Sequence, residues 1–154
     1  MRMLALAAVT LAVLAPPALA DTITVTHGKT PDPVYLDLGA AGDSVGDQRI
    51  WEFSGKTTGG DAVVMDWLMI TTGPPDASGL ESRMTSAVFS FDGTGDRILV
   101  QGIGMYPAKG STVKADATLE RAIIGGTGKY AGAHGAAVTT HLDDGTWRHV
   151  LTVQ

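Results

Sequence analysis

The sequence predicts an all-β protein, a closed barrel of eight antiparallel strands. Short runs of β-branched and aromatic residues recur about every 12 residues, and turn-forming residues separate them. No window after residue 20 keeps apolar residues at positions i, i+3, i+4 and i+7 for three helical turns, so no long helix is expected. The runs number nine, which suits eight barrel strands and one short additional strand.

Each run is assigned to a strand from its residue types and from the turn residues that flank it. We place the strands near residues 22–27, 34–38, 48–54, 61–71, 84–91, 97–104, 117–124, 135–142 and 146–153. The loops 39–47, 72–82 and 105–112 carry the remaining Gly and Pro. An open sheet of this size would leave edge strands free to pair with other chains, so closure into a barrel is favoured.

The fourth strand is the most apolar, and Asp66, between Met65 and Trp67, is its lone acid. Both side-chain parities are mostly apolar, which predicts burial by the lumen on one face and by loops or a partner subunit on the other. A buried, unpaired carboxylate has a raised pKa and can act as an acid or a base, which makes Asp66 a candidate catalytic residue. The alternative is that Asp66 pairs with Arg49 or Arg97, or faces solvent.

Residues 1–20 have the features of a cleaved secretory signal peptide. One positive residue precedes an apolar run at Leu4–Leu14, and Ala-Leu-Ala stands immediately before Asp21. The run is too short to span a bilayer, and no later stretch is long enough to act as a span. We therefore expect a single mature domain, residues 21–154, that is secreted or resides in a periplasm.

The composition argues against several partners and sites. Without the Arg2 of the leader, the 11 Lys and Arg residues become 10 against 16 Asp and Glu, a net charge of about −6. Such a balance disfavours binding to nucleic acid or to an anionic membrane surface. The chain has no Cys, so it can form neither a disulfide nor a thiolate site, and its serines lack the context of a nucleophile elbow.

A glycine-rich stretch joins the seventh and eighth predicted strands. Five glycines fall within the eleven residues 125–135, between two β-branched runs. A phosphate-binding P-loop would need Gly at position 123 and Ser or Thr at position 130, where this chain has Ile123 and Tyr130. A dinucleotide fingerprint would need Gly at position 131, which is Ala131. The stretch therefore predicts a compact turn and implies no nucleotide cofactor.

The dipeptide Asp-Gly marks two predicted hairpin turns, at 92–93 and 144–145, because tight turns need a positive φ that these residues tolerate. A two-residue turn at 144–145 would pair His141 with Arg148 and so place His149 opposite the preceding Thr. The two histidines would then point to opposite faces of the sheet. This register argues against a shared metal ion, and no metal site is predicted.

Three segments, in order along the chain, carry a resemblance to known proteins. They are Ser44–Asp47 before a strand with Trp51 and Phe53, the strands 89–93 and 98–102, and the Gly-Gly-Thr-Gly turn at 125–128 with Tyr130 and Gly135 after it. In these segments the chain resembles allene oxide cyclases and dirigent proteins. The resemblance implies an eight-stranded barrel, assembly into homotrimers, an apolar small molecule in the lumen and isomerase-type activity.

The resemblance also implies a ligand-binding wall. Trp51 and Phe53 share with Arg49 the strand face that lines the lumen in the cyclases, and Trp67 would add to the aromatic wall. A pocket built from these aromatic residues would hold an apolar ligand, while Asp66 or the Tyr35 hydroxyl fixed a polar end. The alternative is that the aromatic side chains only fill the core.

The catalytic residues of the two families are not retained. Tyr35 lies in a Pro-Val-Tyr-Leu segment that resembles the cyclases' cavity rim, but their earlier acidic and amide side chains are replaced by Thr24 and Thr26. The Asp and Arg of the dirigent glycine turn are replaced by Lys129 and His134. Two residues nonetheless join Asp66 as catalytic candidates: Tyr35, whose hydroxyl would fix a polar end of the ligand, and His134, if it pairs with a carboxylate. Thr24 and Thr26 join the ligand-binding candidates.

The sequence leaves two functions open. The first is a barrel that binds a hydrophobic small molecule and steers its cyclisation or coupling by shape, with little acid or base chemistry. The second is a non-catalytic carrier, or an extracellular interaction module, on the same barrel. Neither function implies a cofactor.

Overall fold

The computed structural model describes residues 20–93, 95–108 and 112–154. All nine predicted strands are present. They are β1 (Asp21–His27), β2 (Val34–Leu36), β3 (Gln48–Thr57), β4 (Ala62–Gly73), β5 (Leu80–Phe91), β6 (Asp96–Pro107), β7 (Thr118–Thr127), β8 (Gly135–His141) and β9 (Trp147–Val153), with a short 3₁₀ turn at Gly128–Tyr130. The predicted signal peptide, apart from Ala20, lies outside the described residues.

The strands form a closed antiparallel barrel, as the sequence predicts. Their order around the sheet is β1-β9-β8-β7-β6-β5-β4-β3-β2. Closure comes from β1, which pairs with β9 on one side and with β3 on the other, where Val25 stands opposite Thr57. The short β2 pairs along β3, with Val34 opposite Ile50, and lies outside the barrel wall. Eight strands thus close the barrel and one is additional.

The barrel interior divides into an apolar half and a polar half, a change that the inward side chains of β5 show most clearly. Along β5 every second residue is buried, from Glu81 through Arg83 and Thr85 to Ala87, Phe89 and Phe91. The apolar half contains Val25, Val63, Met65, Phe89, Phe91, Ile98, Val100, Ile123 and Leu151, each at most 4% exposed. The polar half contains His27, Arg49, Thr71, Glu81, Arg83, Thr85, Arg121, Thr139 and His149.

The predicted register of the last hairpin is wrong by one residue. Its loop has three residues, since the Leu142 amide donates to the Thr146 carbonyl at 2.8 Å and the Gly145 amide to the Leu142 carbonyl at 3.0 Å. Of the Asp-Gly pair only Gly145 has a positive φ, of 81°, whereas a two-residue type I′ turn needs it at both positions. His141 therefore lies opposite Trp147, and Thr139 opposite His149.

This register reverses one inference from the sequence. His141 and Thr139 have the same parity, so His141 and His149 face the same side of the sheet, not opposite sides. His141 nonetheless stacks on Trp147, with ring centroids 4.4 Å apart, and its Nδ1 contacts the Val113 carbonyl. Within the described residues, no three His, Asp or Glu side chains gather as metal ligands would.

The glycine-rich stretch is part strand and part turn. Gly126 lies within β7, where an added Cβ would collide with the carbonyl oxygens of Tyr130 and Arg97. Gly128 and Gly132 lie in the turn, with φ of 61° and 84°. Gly126 is therefore explained by the close approach of other backbone atoms, and Gly128 and Gly132 are explained by their positive φ.

Among the residues that the structure describes, no helix has the length and apolar character that a membrane span needs.

Candidate functional site

A cavity of about 40 Å³ lies inside the polar half of the barrel. It is lined by aromatic side chains, by polar ones and by two aliphatic ones: Trp51, Phe53, Trp67, Tyr106 and Trp147; His27, Thr30, Arg121, Thr139 and His149; Met69 and Leu119. Thr30 belongs to the connection between β1 and β2, so this connection covers the mouth. The Trp51 Nε1–H donates to the Pro31 carbonyl at 3.0 Å, which holds the connection against the barrel rim.

The aromatic side chains predicted for the lumen stand on the cavity wall. Trp51 lies opposite Trp67 in the β3–β4 register, and the rings of Phe53 and Trp67 have centroids 6.1 Å apart. The Trp67 ring also contacts that of His149, at 5.5 Å. Trp147, which sequence analysis did not select, adds a further wall by stacking on His27 at 6.2 Å.

Arg121 is the cation of this cavity. It is 3% exposed. Its Nη2 donates to the Tyr106 hydroxyl at 2.7 Å and, over 3.5 Å, to that of Thr85, while its Nη1 donates to Thr139 Oγ1 at 3.2 Å. Its guanidinium lies over the Trp67 ring, 5.2 Å from the centroid. Its neighbours are therefore hydroxyl groups and an aromatic face.

Two glycines of β6 make room for this arrangement. A Cβ at Gly102 would come within 2.9 Å of the Arg121 Cγ, and a Cβ at Gly104 within 2.9 Å of the Tyr106 ring and 3.0 Å of Leu119. Both glycines stand at alternate positions on the inner face of one strand. Their missing side chains leave the volume that the Arg121 and Tyr106 side chains occupy.

Arg121 has no carboxylate partner among the described residues, whose ion pairs involve other basic residues. Burial lowers the pKa of the guanidinium from its ordinary value, and the Tyr106 hydroxyl partly opposes this shift. Arginine keeps its proton in proteins because its pKa is so high. Isolating such a charge from water costs several kcal/mol unless a counter-charge compensates. The site thus holds an uncompensated positive charge.

A directed chain of hydrogen bonds connects Arg121 to the mouth. The His27 Nδ1–H donates to the Gly28 carbonyl at 2.7 Å, because a carbonyl can only accept. The His27 Nε2 then accepts from the His149 Nε2–H at 3.1 Å, and the His149 Nδ1 accepts from the Thr139 hydroxyl at 3.0 Å. Thr139 in turn accepts from Arg121. All four ring nitrogens are engaged.

Both histidines of this hydrogen-bond chain, His27 and His149, are neutral near pH 7. Burial lowers the pKa of His27 to about 4, an effect that the bond to the Gly28 carbonyl only partly offsets. Burial also lowers the pKa of His149 well below its ordinary value, and the neighbouring His27 and Arg121 lower it further. Protonation of either would add a charge beside Arg121.

A second polar cluster beside the cavity has its charges paired. Glu81, which is fully buried, accepts from Arg83 Nε at 2.6 Å and from the Thr71 hydroxyl at 3.1 Å, and its carboxylate lies 3.4 Å from the Arg49 Nη2. Arg49 also donates to Thr71 Oγ1 at 3.1 Å. The structure therefore places Arg49, a predicted ligand-binding residue, in an ion-pair cluster and off the cavity wall.

Tyr35 lies on β2, outside the barrel, and not in the cavity. Its hydroxyl donates to Asp47 Oδ2 at 2.7 Å, and this bond, more than burial, raises the pKa of Tyr35 to about 12. Burial acts to raise the Asp47 pKa, but hydrogen bonds from the amides of Ser44 and Leu38 and from Tyr35 outweigh it and bring the pKa to about 2. The expectation that Tyr35 shares a pocket with Trp51 is wrong.

Asp66 is exposed on the outer face of β4, so the expectation that it lies in the pocket is also wrong. The parity of the strand explains this position, because Met65 and Trp67 are the residues that turn inward. Asp66 stands opposite Glu52 of β3. It lacks the burial that its proposed role required.

The remaining candidates lie away from the cavity. Thr24 and Thr26 have the outward parity of β1, which turns Val25 and His27 inward. His134 is exposed in the turn before β8, with its Nδ1 3.4 Å from the Gly132 carbonyl. The structure thus brings together Trp51, Phe53 and Trp67 of the predicted set, and adds His27, Tyr106, Arg121, Thr139 and His149.

Of the comparisons with known proteins, the one with solved structures supports the fold. No protein-family model matches the sequence, those of allene oxide cyclases and dirigent proteins included, and no curated protein matches it significantly. Among solved structures, one described as pyocyanin demethylase superposes with a TM-score of 0.64 and 19% sequence identity, covering 88% of this chain and 100% of that one. This similarity supports the barrel and carries no assignment of activity.

Proposed function

We propose that the barrel binds a hydrophobic small molecule in the cavity between Trp51, Phe53, Trp67 and Trp147. The observation that carries this proposal is the cavity itself. Protein interiors are close-packed, and an unfilled space bounded by three tryptophans and a few convergent polar groups has the composition of a ligand site. The apolar half of the same barrel, filled by aliphatic and aromatic side chains, shows that this fold has no general need for such a space.

The size of the cavity limits how a ligand binds. A volume of about 40 Å³ accommodates roughly three water molecules, at about 10–15 Å³ for each. A molecule with an aromatic ring is larger and has to displace side chains at the mouth. Thr30 and the Trp51–Pro31 hydrogen bond stand there, so binding requires the β1–β2 connection to move outward.

The geometry favours binding and steering of the ligand over acid–base catalysis. The four nitrogens of His27 and His149 are all hydrogen-bonded, so neither histidine can exchange a proton with a ligand without breaking this chain. What the cavity offers is confinement by rigid aromatic walls. Confinement could direct a cyclisation or a coupling, as the resemblance to allene oxide cyclases and dirigent proteins implies. The structural neighbour is described as pyocyanin demethylase, so its name assigns an enzymatic activity to a protein with a similar barrel.

We also propose export and self-association. The leader at 1–20 supports export of a single domain, residues 21–154, to a periplasm or the medium. Apolar side chains on the outer face of the barrel and on β2, including Val34 at 62% and Ile103 at 65% exposed, support a homotrimer of the kind that the resemblance implies. Light scattering that finds only monomers at high concentration would remove the trimer.

A neutral aromatic probe tests ligand binding. We expect 2-naphthamide to bind the wild-type protein, with a change in tryptophan fluorescence, because three tryptophans line the cavity. Trp51→Ala should weaken binding by about 1–3 kcal/mol, more than it lowers the free energy of unfolding. Ile103→Ala, on the outer face, is the control and should leave binding unchanged. A wild-type protein that binds no aromatic probe would contradict the proposal.

A further inference from the structure

Arg121 differs from the other buried arginines in having no counter-charge. Arg49 and Arg83 both contact Glu81. Arg121 is equally buried, and in the part of the chain that the structure describes it contacts only neutral groups. The hydroxyl groups around it orient the guanidinium but cannot neutralise it. An anion from outside the fold would supply the counter-charge that this buried cation lacks.

Two buried N–H donors at the cavity lack an acceptor. Of the described residues, Arg121 Nε and Trp67 Nε1 are both shielded from solvent and without a hydrogen-bond partner. Both side chains line the cavity, and they are in contact, since the guanidinium lies over the Trp67 ring. Buried donors are almost always paired. These two orphan donors on adjacent cavity residues mark positions at which an acceptor atom from a ligand would complete the hydrogen bonding.

The charge on the cavity wall defines what that acceptor is. The lining contains no Asp or Glu, and its two histidines are neutral near pH 7, so Arg121 gives the wall a single positive charge. One positive charge balances one negative charge. A doubly charged group such as a phosphate monoester would be only half compensated in a site so shielded from water.

We propose that the ligand is an organic monoanion, an apolar or aromatic molecule whose single carboxylate accepts hydrogen bonds from the orphan donors of Arg121 and Trp67. This assignment rests on the proposed function and specifies the chemistry of its ligand. The aromatic walls contact the body of the molecule, and the guanidinium contacts its carboxylate. The Tyr106 and Thr139 hydroxyls hold the guanidinium in place.

A matched pair of probes isolates the charge. The probes 2-naphthoate and 2-naphthamide have the same ring system and nearly the same shape, but only the first is an anion at pH 7. We expect the wild-type protein to bind 2-naphthoate about tenfold or more tightly than 2-naphthamide, as hydrogen bonds to charged groups predict. Arg121→Gln should abolish this preference. The control is Arg97→Gln, because Arg97 is exposed on the outer face of β6, and it should keep the preference.

The outcomes distinguish the two proposals. Equal affinity of the wild-type protein for both probes would overturn the monoanion and leave the proposed binding site intact. Binding of neither probe would contradict the proposed function. A preference for 2-naphthoate that survives Arg121→Gln would overturn the assignment to Arg121. If Arg121→Gln fails to fold, the Arg121 Nε–H resonance of the wild-type protein decides, since a charge-assisted hydrogen bond should move it further downfield with 2-naphthoate than with 2-naphthamide, and equal shifts would overturn the assignment.

Discussion

Both halves of the barrel interior are buried, but they differ in how fully their space is filled and their charges are paired. In the apolar half, side chains such as Met65, Ile98 and Leu151 are fully buried and fill the space. In the polar half, Arg121 is buried without a counter-charge, and a cavity remains beside it. Selection for stability alone would favour neither the unpaired charge nor the cavity. The apolar half therefore stabilises the barrel, and the polar half contains the candidate site.

The polar half itself contains both kinds of arrangement. The charges of Arg49 and Arg83 are balanced locally by two carboxylates, because Glu81 contacts both guanidiniums and Asp43 lies 3.9 Å from the Arg49 Nη2. Arg121 has hydroxyl groups where those arginines have a carboxylate. The difference separates a charge that the fold needs from a charge that it tolerates. Substitutions at the two sites should therefore differ in their consequences for stability: a large loss at the paired cluster and little change at Arg121.

The largest effect is expected at Glu81. Glu81→Gln keeps the shape of the side chain but removes the charge that Arg83 and Arg49 contact, which leaves two guanidiniums close together in a buried site. We expect a loss of about 3–5 kcal/mol in the free energy of unfolding, as for other broken buried ion pairs. Urea denaturation would measure this loss. A decrease below about 1 kcal/mol would mean that the cluster is solvated and that the contrast with Arg121 does not hold.

The next largest effect is expected in the apolar half. Met65 is fully buried, and Met65→Ala should lower the free energy of unfolding by about 3 kcal/mol, through lost apolar burial and the cavity left behind. Met105 is 43% exposed on the outer face, so Met105→Ala removes the same atoms from a solvated position. It should cost well under 1 kcal/mol. Similar losses in the two variants would contradict the assignment of the lumen face.

The histidine pair should make stability depend on pH. The folded pKa of His27, about 4, lies below its ordinary value of 6.5, so the unfolded chain binds the proton more readily. Stability is then fully present above pH 6.5 and falls as the pH decreases toward 4, by about 2–3 kcal/mol. His27→Gln should remove much of this slope, whereas His134→Gln, at an exposed turn, should keep it. A flat profile between pH 6.5 and 4 in the wild-type protein would contradict the burial of this pair.

The sequence predicted the fold well because its signals are local. The alternation of apolar residues and the turn residues between the runs placed all nine strands. Closure followed from a different argument, the free edges that an open sheet would leave. The exception was the last hairpin, where Asp-Gly suits a two-residue and a three-residue loop equally. That choice shifted the register by one and reversed the face assigned to His149.

The site was harder to predict because it depends on which face of a strand turns inward. Asp66 was selected as a lone charge in an apolar strand, but Val64 and Leu68 on its own face are apolar too, so composition could not identify the lumen side. Arg121 shows the same signal between Leu119 and Ile123 at alternate positions, and here the face is the inner one. The His27–His149 contact joins residues 122 positions apart, which no local pattern encodes.

The smallest effect on stability is expected at Arg121, and it is the sharpest test of the comparison. Arg121→Met removes an uncompensated buried charge and keeps a long flexible side chain over Trp67. The variant loses the hydrogen bonds to Tyr106 and Thr139 but gains from removing the desolvated cation, and these terms offset each other. We expect the free energy of unfolding to change by less than about 1 kcal/mol in either direction, while the preference for 2-naphthoate disappears. Thermal unfolding and binding measured on the same sample would show both. A loss of several kcal/mol would mean that the fold depends on Arg121 as it does on Glu81, and the polar half would then be structural throughout.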